Sequence, residues 1–114
     1  MEVLTTVGRR SGKRISNPIS VLNADGGRYI CTVGDTNWVL NARANPEVTL
    51  QRGHRRYLAR LIEVPESGRA AVLREFPVKI PGGVAFFRHA LGISGTPESF
   101  AQAAGRCRVF LIES

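Results

Sequence analysis

The sequence predicts a mainly β protein with inserted helices, its strands wound into an antiparallel barrel. Three observations point there. Short β-branched runs separated by Gly, Asn and Asp fill the chain up to Val64. Helical spacing replaces them after Pro65. A last segment, Cys107 to Ile112, then returns to strand character, and a barrel closed by that strand leaves few exposed edges.

Residues 2–7 (Glu-Val-Leu-Thr-Thr-Val) form the first expected strand, and Gly8 to Gly12 the turn after it. Ile15 to Leu22 is the second strand, with Pro18 marking an edge or a bulge. Asp25-Gly26-Gly27 signals a hairpin into a third strand, Arg28 to Val33. After a short Gly34–Thr36 loop, Asn37 is placed to cap a helix from Trp38 to Ala44, stopped by Asn45-Pro46. Glu47 to Gln51 and Arg55 to Val64 make a further hairpin across Arg52-Gly53-His54. In its second strand Tyr57, Ala59 and Leu61 alternate against Leu58, Arg60 and Ile62. Pro65 opens a helix carried by Ala70, Ala71, Leu73, Arg74 and Phe76, with interruptions expected at Pro77 and at Pro81-Gly82-Gly83. Val84 to Leu91 is a second helix ending at Gly92. Thr96 caps a third, Pro97 to Ala104, with Gly105 at its end. The count is six strands.

The length of 114 residues fits one domain, residues 1–114, and suffices to bury a core without disulfides or metal. A hydrophobic share of 43% excludes a disordered chain. Apolar runs are too short to span a bilayer, and residues 1–10 lack the pattern of a secretory signal, so a cytoplasmic protein is expected. Cys31 and Cys107 match no metal or redox spacing and read as free buried thiols; no metal site is expected from His54 and His89.

The net charge of +7 is uneven: residues 1–60 carry +6 and residues 61–114 only +1. Such a local excess fits a polyanionic partner, whether a phosphate-bearing cofactor, nucleic acid or an anionic membrane, or else two solvated turns. Arg9, Arg10, Lys13 and Arg14 form one basic group, and Arg52, His54, Arg55 and Arg56 a second. Nucleic-acid binding would call for aromatics interleaved with the first group, and there are none. The turn Gly8-Arg9-Arg10-Ser11-Gly12 offers backbone N–H groups, guanidinium groups and a hydroxyl, a chemistry suited to phosphate.

Three blocks in order carry a resemblance. They are Leu4-Thr5-Thr6-Val7-Gly8-Arg9-Arg10-Ser11-Gly12, the step Asn17-Pro18, and Trp38-Val39-Leu40-Asn41-Ala42-Arg43-Ala44-Asn45-Pro46-Glu47-Val48. From about residue 3 to 64, and again in the last strand, the chain resembles the deazaflavin-dependent nitroreductase and quinone reductase family, in its short-loop branch. The resemblance implies a flavin-reductase-like split β-barrel and coenzyme F-420, with flavin mononucleotide or a haem-type ligand as the alternative on such a barrel. It implies hydride transfer to an apolar small molecule such as a quinone or activated alkene, and split barrels of this kind often form homodimers. By position Arg9, Arg10, Ser11 and Gly12 would hold the cofactor's phosphate, and Lys13 and Arg14 its acidic tail. Asn17, Pro18, Cys31, Thr32, Val33 and Gly34 would line the ring. Asp35 stands in the loop where the nitroreductase branch carries a base.

Other residues keep two readings. Trp38 borders the cofactor or anchors its helix, and Asn41 bonds backbone or cofactor. Phe86 and Phe87 shape an apolar substrate pocket or join Phe76 and Phe100 in the core. The basic turns together with Val84 to Leu91 would also suit peripheral membrane contact. No residue stands out as a general acid.

Overall fold

A computed structural model describes residues 1–114. Seven strands and four helices follow one another as β1 (Glu2–Val7), β2 (Arg14–Ile19), β3 (Leu22–Ala24), β4 (Gly27–Val33), α1 (Asn37–Ala44), β5 (Glu47–Arg52), β6 (Arg55–Glu63), α2 (Glu66–Lys79), α3 (Val84–Leu91), α4 (Pro97–Gln102) and β7 (Cys107–Glu113). Single 3-10 turns, Pro81–Gly83 and Ala104–Arg106, precede α3 and β7. No helix is long and apolar enough to cross a membrane.

All strands join one antiparallel sheet in the order β2-β1-β5-β6-β7-β4-β3. The last strand is therefore central. It links the β5–β6 hairpin to the β3–β4 hairpin and brings Leu61 opposite Ile112 and Ile30 opposite Phe110. The two edges of the sheet, β2 and β3, are consecutive in the chain and separated only by Ser20-Val21. The sheet curls until its edges meet at that covalent joint, so a two-residue link joins them where a ladder of hydrogen bonds would otherwise run. This joint is also why the expected strand from Ile15 to Leu22 is two strands. Its first half pairs with β1 and its second half with β4, on opposite sides of the curl.

Two apolar cores follow from strand alternation. Leu4, Ile30, Val48, Leu50, Ala59, Leu61, Phe110 and Ile112 fill the barrel, and Trp38, Val39 and Ala42 of α1 plug its end. Leu22, Ala24, Cys107 and Val109 face the other way, against Val72, Leu73, Phe76, Phe87, Leu91 and Phe100 of the helices. β7 thus feeds both cores, which explains its apolar run from Val109 to Ile112. Cys31 and Cys107 face that second core from adjacent strands as free thiols.

Three local expectations are corrected. The N-cap of α1 is Thr36, whose Oγ1 accepts from the Val39 amide (3.4 Å), so Asn37 is already inside the helix. Pro77 does not interrupt α2. It sits in the last turn, where one lost hydrogen bond is offset by packing of Phe76 and Ile80 into the second core. α4 stops at Gln102, and Gly105 lies in the following 3-10 turn, so it is not the helix cap. Thr96 does cap α4, accepting from the Ser99 amide at 3.1 Å.

Candidate functional site

The β1–β2 turn is built by two glycines. Gly8 donates to the Lys13 carbonyl (2.7 Å) and accepts from Gly12 (2.9 Å). A Cβ on Gly8 would lie 2.8 Å from Ser11 Oγ, and Gly12 has φ +72°, so neither position accepts a side chain without strain. Ser11 Oγ accepts from the Lys13 amide at 3.1 Å. The amides of Arg10 and Ser11, both exposed residues, bond nothing within the chain and are left as free donors. Arg10, Lys13 and Arg14 are exposed, and none of the four cations of the turn lies within ion-pair distance of a carboxylate.

Arg9 is tied down. Asn41 Oδ1 accepts from its amide (3.1 Å) and from Nη1 (2.8 Å), while Asn41 Nδ2 donates to Thr6 Oγ1 (3.4 Å). Asn41 is 1% exposed, and its carboxamide bonds the protein's own turn.

A cavity of about 300 Å³ lies toward the other end of the β1–β2 hairpin from this turn, and its walls come from five segments. Pro18, Ile19 and Ser20 come from the end of β2, Cys31 and Thr32 from β4, Trp38 from α1, and Phe76 from α2. Gly83, Phe86 and Phe87 complete it, with Met1 at its rim. Pro18 is four residues along β2 from Arg14, about 14 Å at the usual strand rise. Gly83 lies against the Phe76 ring, with 2.9 Å left for a Cβ, and this close approach sets α3 over the cavity. Asn17, Val33 and Gly34 are not in the wall. Asn17 faces away from Pro18 on β2, Val33 packs on the helices, and the Gly34 amide bonds the Arg106 carbonyl.

Trp38 packs 5.4 Å from Phe110 in the barrel core and also lines the cavity. Phe87 is 3% exposed and packs against Phe76, Phe86 and Phe100, with ring centroids 4.7–5.6 Å apart. Phe86 is 60% exposed at the mouth. Burial, with Cys107 as a lesser cause, pushes the Cys31 thiol up to about 12, so it faces the cavity as a neutral SH. The parts the sequence left out are Ile19, Ser20, Phe76 and Gly83. Only the Pro81-Gly82-Gly83 break hinted at any of them.

Asp35 is not a free acid. It bonds Arg108 (2.8 Å) and pairs with Arg43 (3.3 Å), which in turn holds Glu63 (2.8 Å); Glu63 also meets Arg69 at 3.4 Å. The hydrogen bond from Arg108 holds Asp35 below its ordinary value, and the one from Arg43 does the same for Glu63. This network braces α1 and the start of α2 against the sheet, leaving the basic turn unopposed. No group of three or more His, Cys, Asp or Glu side chains converges on a common point.

The sequence profile of the F420H(2)-dependent quinone reductase family matches residues 1–83. The match runs beyond the expected limit of residue 64, through α2 and the Pro81–Gly83 turn, and does not include β7. No curated protein matches the chain. Among solved structures, an F420-H2 dependent reductase (FDR-A) superposes at TM-score 0.64 with 20% identity, over 98% of this chain and 92% of the other. A protein described as a domain-swapped dimer superposes at 0.66 with 21% identity, over 98% and 78%. HutZ, the heme storage protein of Vibrio cholerae, does so at 0.66 with 12% identity, over 98% and 79%. These likenesses establish a shared split-barrel fold.

Proposed function

The chain belongs to the F420H(2)-dependent quinone reductase family and is an oxidoreductase using the deazaflavin coenzyme F420, and from that premise we propose that the basic turn and the apolar cavity toward the other end of the β1–β2 hairpin form one elongated site for cofactor and acceptor. The observation that carries this reading is the convergence of Pro18, Cys31, Thr32, Trp38, Phe86 and Phe87 on one cavity, in line along β2 with a turn of unpaired cations.

The fit to the cofactor rests on donors. Free amides at Arg10 and Ser11, with guanidinium groups on either side, suit a phosphate, because charge-assisted and bidentate bonds hold planar or tetrahedral oxyanions at fixed geometry. Arg10 and Ser11 hold the phosphate, and Arg9, fixed by Asn41, adds its charge from one side. Lys13 and Arg14, exposed beyond them, attract the acidic tail. When bound, the reduced deazaflavin supplies a hydride. Pro18, Cys31, Thr32 and Trp38 orient the ring, the neutral Cys31 thiol adds no charge there, and Phe86 and Phe87 exclude water from the acceptor side. A cavity walled by aromatic and aliphatic groups favours an apolar acceptor such as a quinone or an activated alkene.

A homodimer is part of the same reading. β2 has an unpaired outer edge, blunted only by Pro18, and a second copy could cover it. Light scattering on the eluting peak of a sizing column distinguishes one chain from two.

Fluorescence titration with coenzyme F420, run beside flavin mononucleotide and haem, tests the site. Reoxidation of the reduced cofactor by a naphthoquinone then tests the acceptor class. Saturable deazaflavin binding and quinone-dependent turnover are expected. Tight flavin mononucleotide or haem binding with none for the deazaflavin would overturn the assignment.

A further inference from the structure

A larger cavity, about 790 Å³, lies at the opposite end of β1 from the basic turn and on the far side of the Ser20-Val21 joint. Its wall holds three arginine side chains, Arg28, Arg52 and Arg55, against one acidic side chain, Glu2, with Met1 and Ser114 also lining it. Glu2 is spent within the wall: its side chain is 8% exposed, Tyr57 Oη donates to it at 2.7 Å, and Arg28 Nη2 lies 3.6 Å away. Arg28 is held in turn, its guanidinium over the Tyr57 ring at 5.3 Å and donating to the Tyr57 oxygen. An oriented guanidinium with donors to spare therefore faces the cavity.

Arg52 and Arg55 are the unusual part. They are paired directly across the β5–β6 hairpin, and neither has a carboxylate within ion-pair distance. Like charges directly opposite each other weaken a hairpin, so folding alone gives no reason for this pair. With Arg28 and Glu2 cancelling, the side chains leave a local charge of +2 beside the apolar surface of Val21 and Leu58, the latter 79% exposed.

We propose that this cavity binds a small dianion, a phosphate monoester or a dicarboxylate, with Arg52 and Arg55 clasping the charged end and Leu58 and Val21 carrying the apolar body. Guanidinium forks match both oxyanions bidentately, and the volume is that of an ordinary small-molecule site. The site shares only Met1 with the smaller cavity and does not depend on the cofactor reading.

Calorimetric titration of the full chain at low salt tests it, with phenyl phosphate in one arm and glutarate in the other. Saturable one-to-one binding is expected in at least one arm, and the responding arm identifies the oxyanion. Arg52→Ala/Arg55→Ala should weaken binding at least about tenfold, the loss expected for charge-assisted bonds. Removing the opposed charges should not lower the melting temperature; Arg52→Gln, a milder change, should weaken binding in the same direction. Arg74→Ala, which removes an exposed charge on α2, should bind the probe as the parent does, and the double variant should keep its affinity for coenzyme F420. No binding in either arm, unchanged binding in both arginine variants, or displacement of the probe by coenzyme F420 would overturn the proposal.

Discussion

Asn41 Oδ1 accepts two hydrogen bonds from a single residue, Arg9, one from its amide and one from its guanidinium, and so ties a buried helix to an exposed turn. The contact spans 32 positions of sequence. It fixes the entry of the turn while Gly8 and Gly12 set its path, which holds the free amides of Arg10 and Ser11 in place. A phosphate site made of backbone donors requires that rigidity, because a floppy turn would lose conformational entropy each time it bound.

Asn41→Ala should therefore cost about 1–3 kcal/mol of stability, the usual penalty for stripping a buried group of its partner. It should also weaken deazaflavin binding, although Asn41 does not touch the cofactor in this reading. Asn41→Asp keeps both acceptor contacts to Arg9 and should restore most of the binding. Denaturant melts alongside fluorescence titrations read both effects; full affinity in Asn41→Ala would show that the turn holds itself.

Arg10→Ala should reduce deazaflavin affinity about 10–100-fold, corresponding to roughly 1.5–3 kcal/mol for a charge-assisted contact. Arg56→Ala, a solvated charge on β6, should change it little. Raising the salt should weaken long-tailed cofactor more than short-tailed, because exposed tail contacts are screened before short-range phosphate bonds. Equal losses for the two arginines, or parallel salt curves, would mean that the basic half attracts the cofactor only diffusely.

Phe86 and Phe87 are adjacent in sequence and opposite in role. Phe87→Ala removes a ring shared by three others and should cost about 3–5 kcal/mol. Phe86→Ala should cost under about 1 kcal/mol, since its ring is largely solvated. It should still alter KM for apolar acceptors while deazaflavin affinity holds. Steady-state kinetics over a quinone series reads this; unchanged acceptor kinetics would take Phe86 out of the site.

Asp35 and Glu63 have folded-state pKa values below their ordinary ones, so their share of stability is present above the ordinary carboxylate range and lost as pH falls through the folded values. The melting temperature should be insensitive to this network between about pH 7 and 5 and should drop below about pH 4. Asp35→Asn/Glu63→Gln should melt lower than the parent at neutral pH, with the gap narrowing toward about pH 3. A constant gap across that range would assign the effect to packing instead of charge.

The sequence alone determined the local conformations and the chemistry of the first turn. Strand alternation in Arg55–Glu63, the Thr96 cap and the Gly8–Gly12 turn all depend on neighbours a few residues away, so they are written in short stretches of chain. The motif order likewise pointed to the family, whose profile covers residues 1–83. What crossed long separations was decided by the tertiary fold. Whether Ile15 to Leu22 was one strand or two depended on the curl of the sheet, which brings its halves to different partners. Which of Phe86 and Phe87 was buried depended on how the Gly83 turn seats α3 on Phe76. Asp35, an isolated acid in a basic half, became part of an ion network only when β7 and α1 brought Arg108 and Arg43 to it. Burial and pairing are properties of the space around a residue, and only the folded chain defines that space.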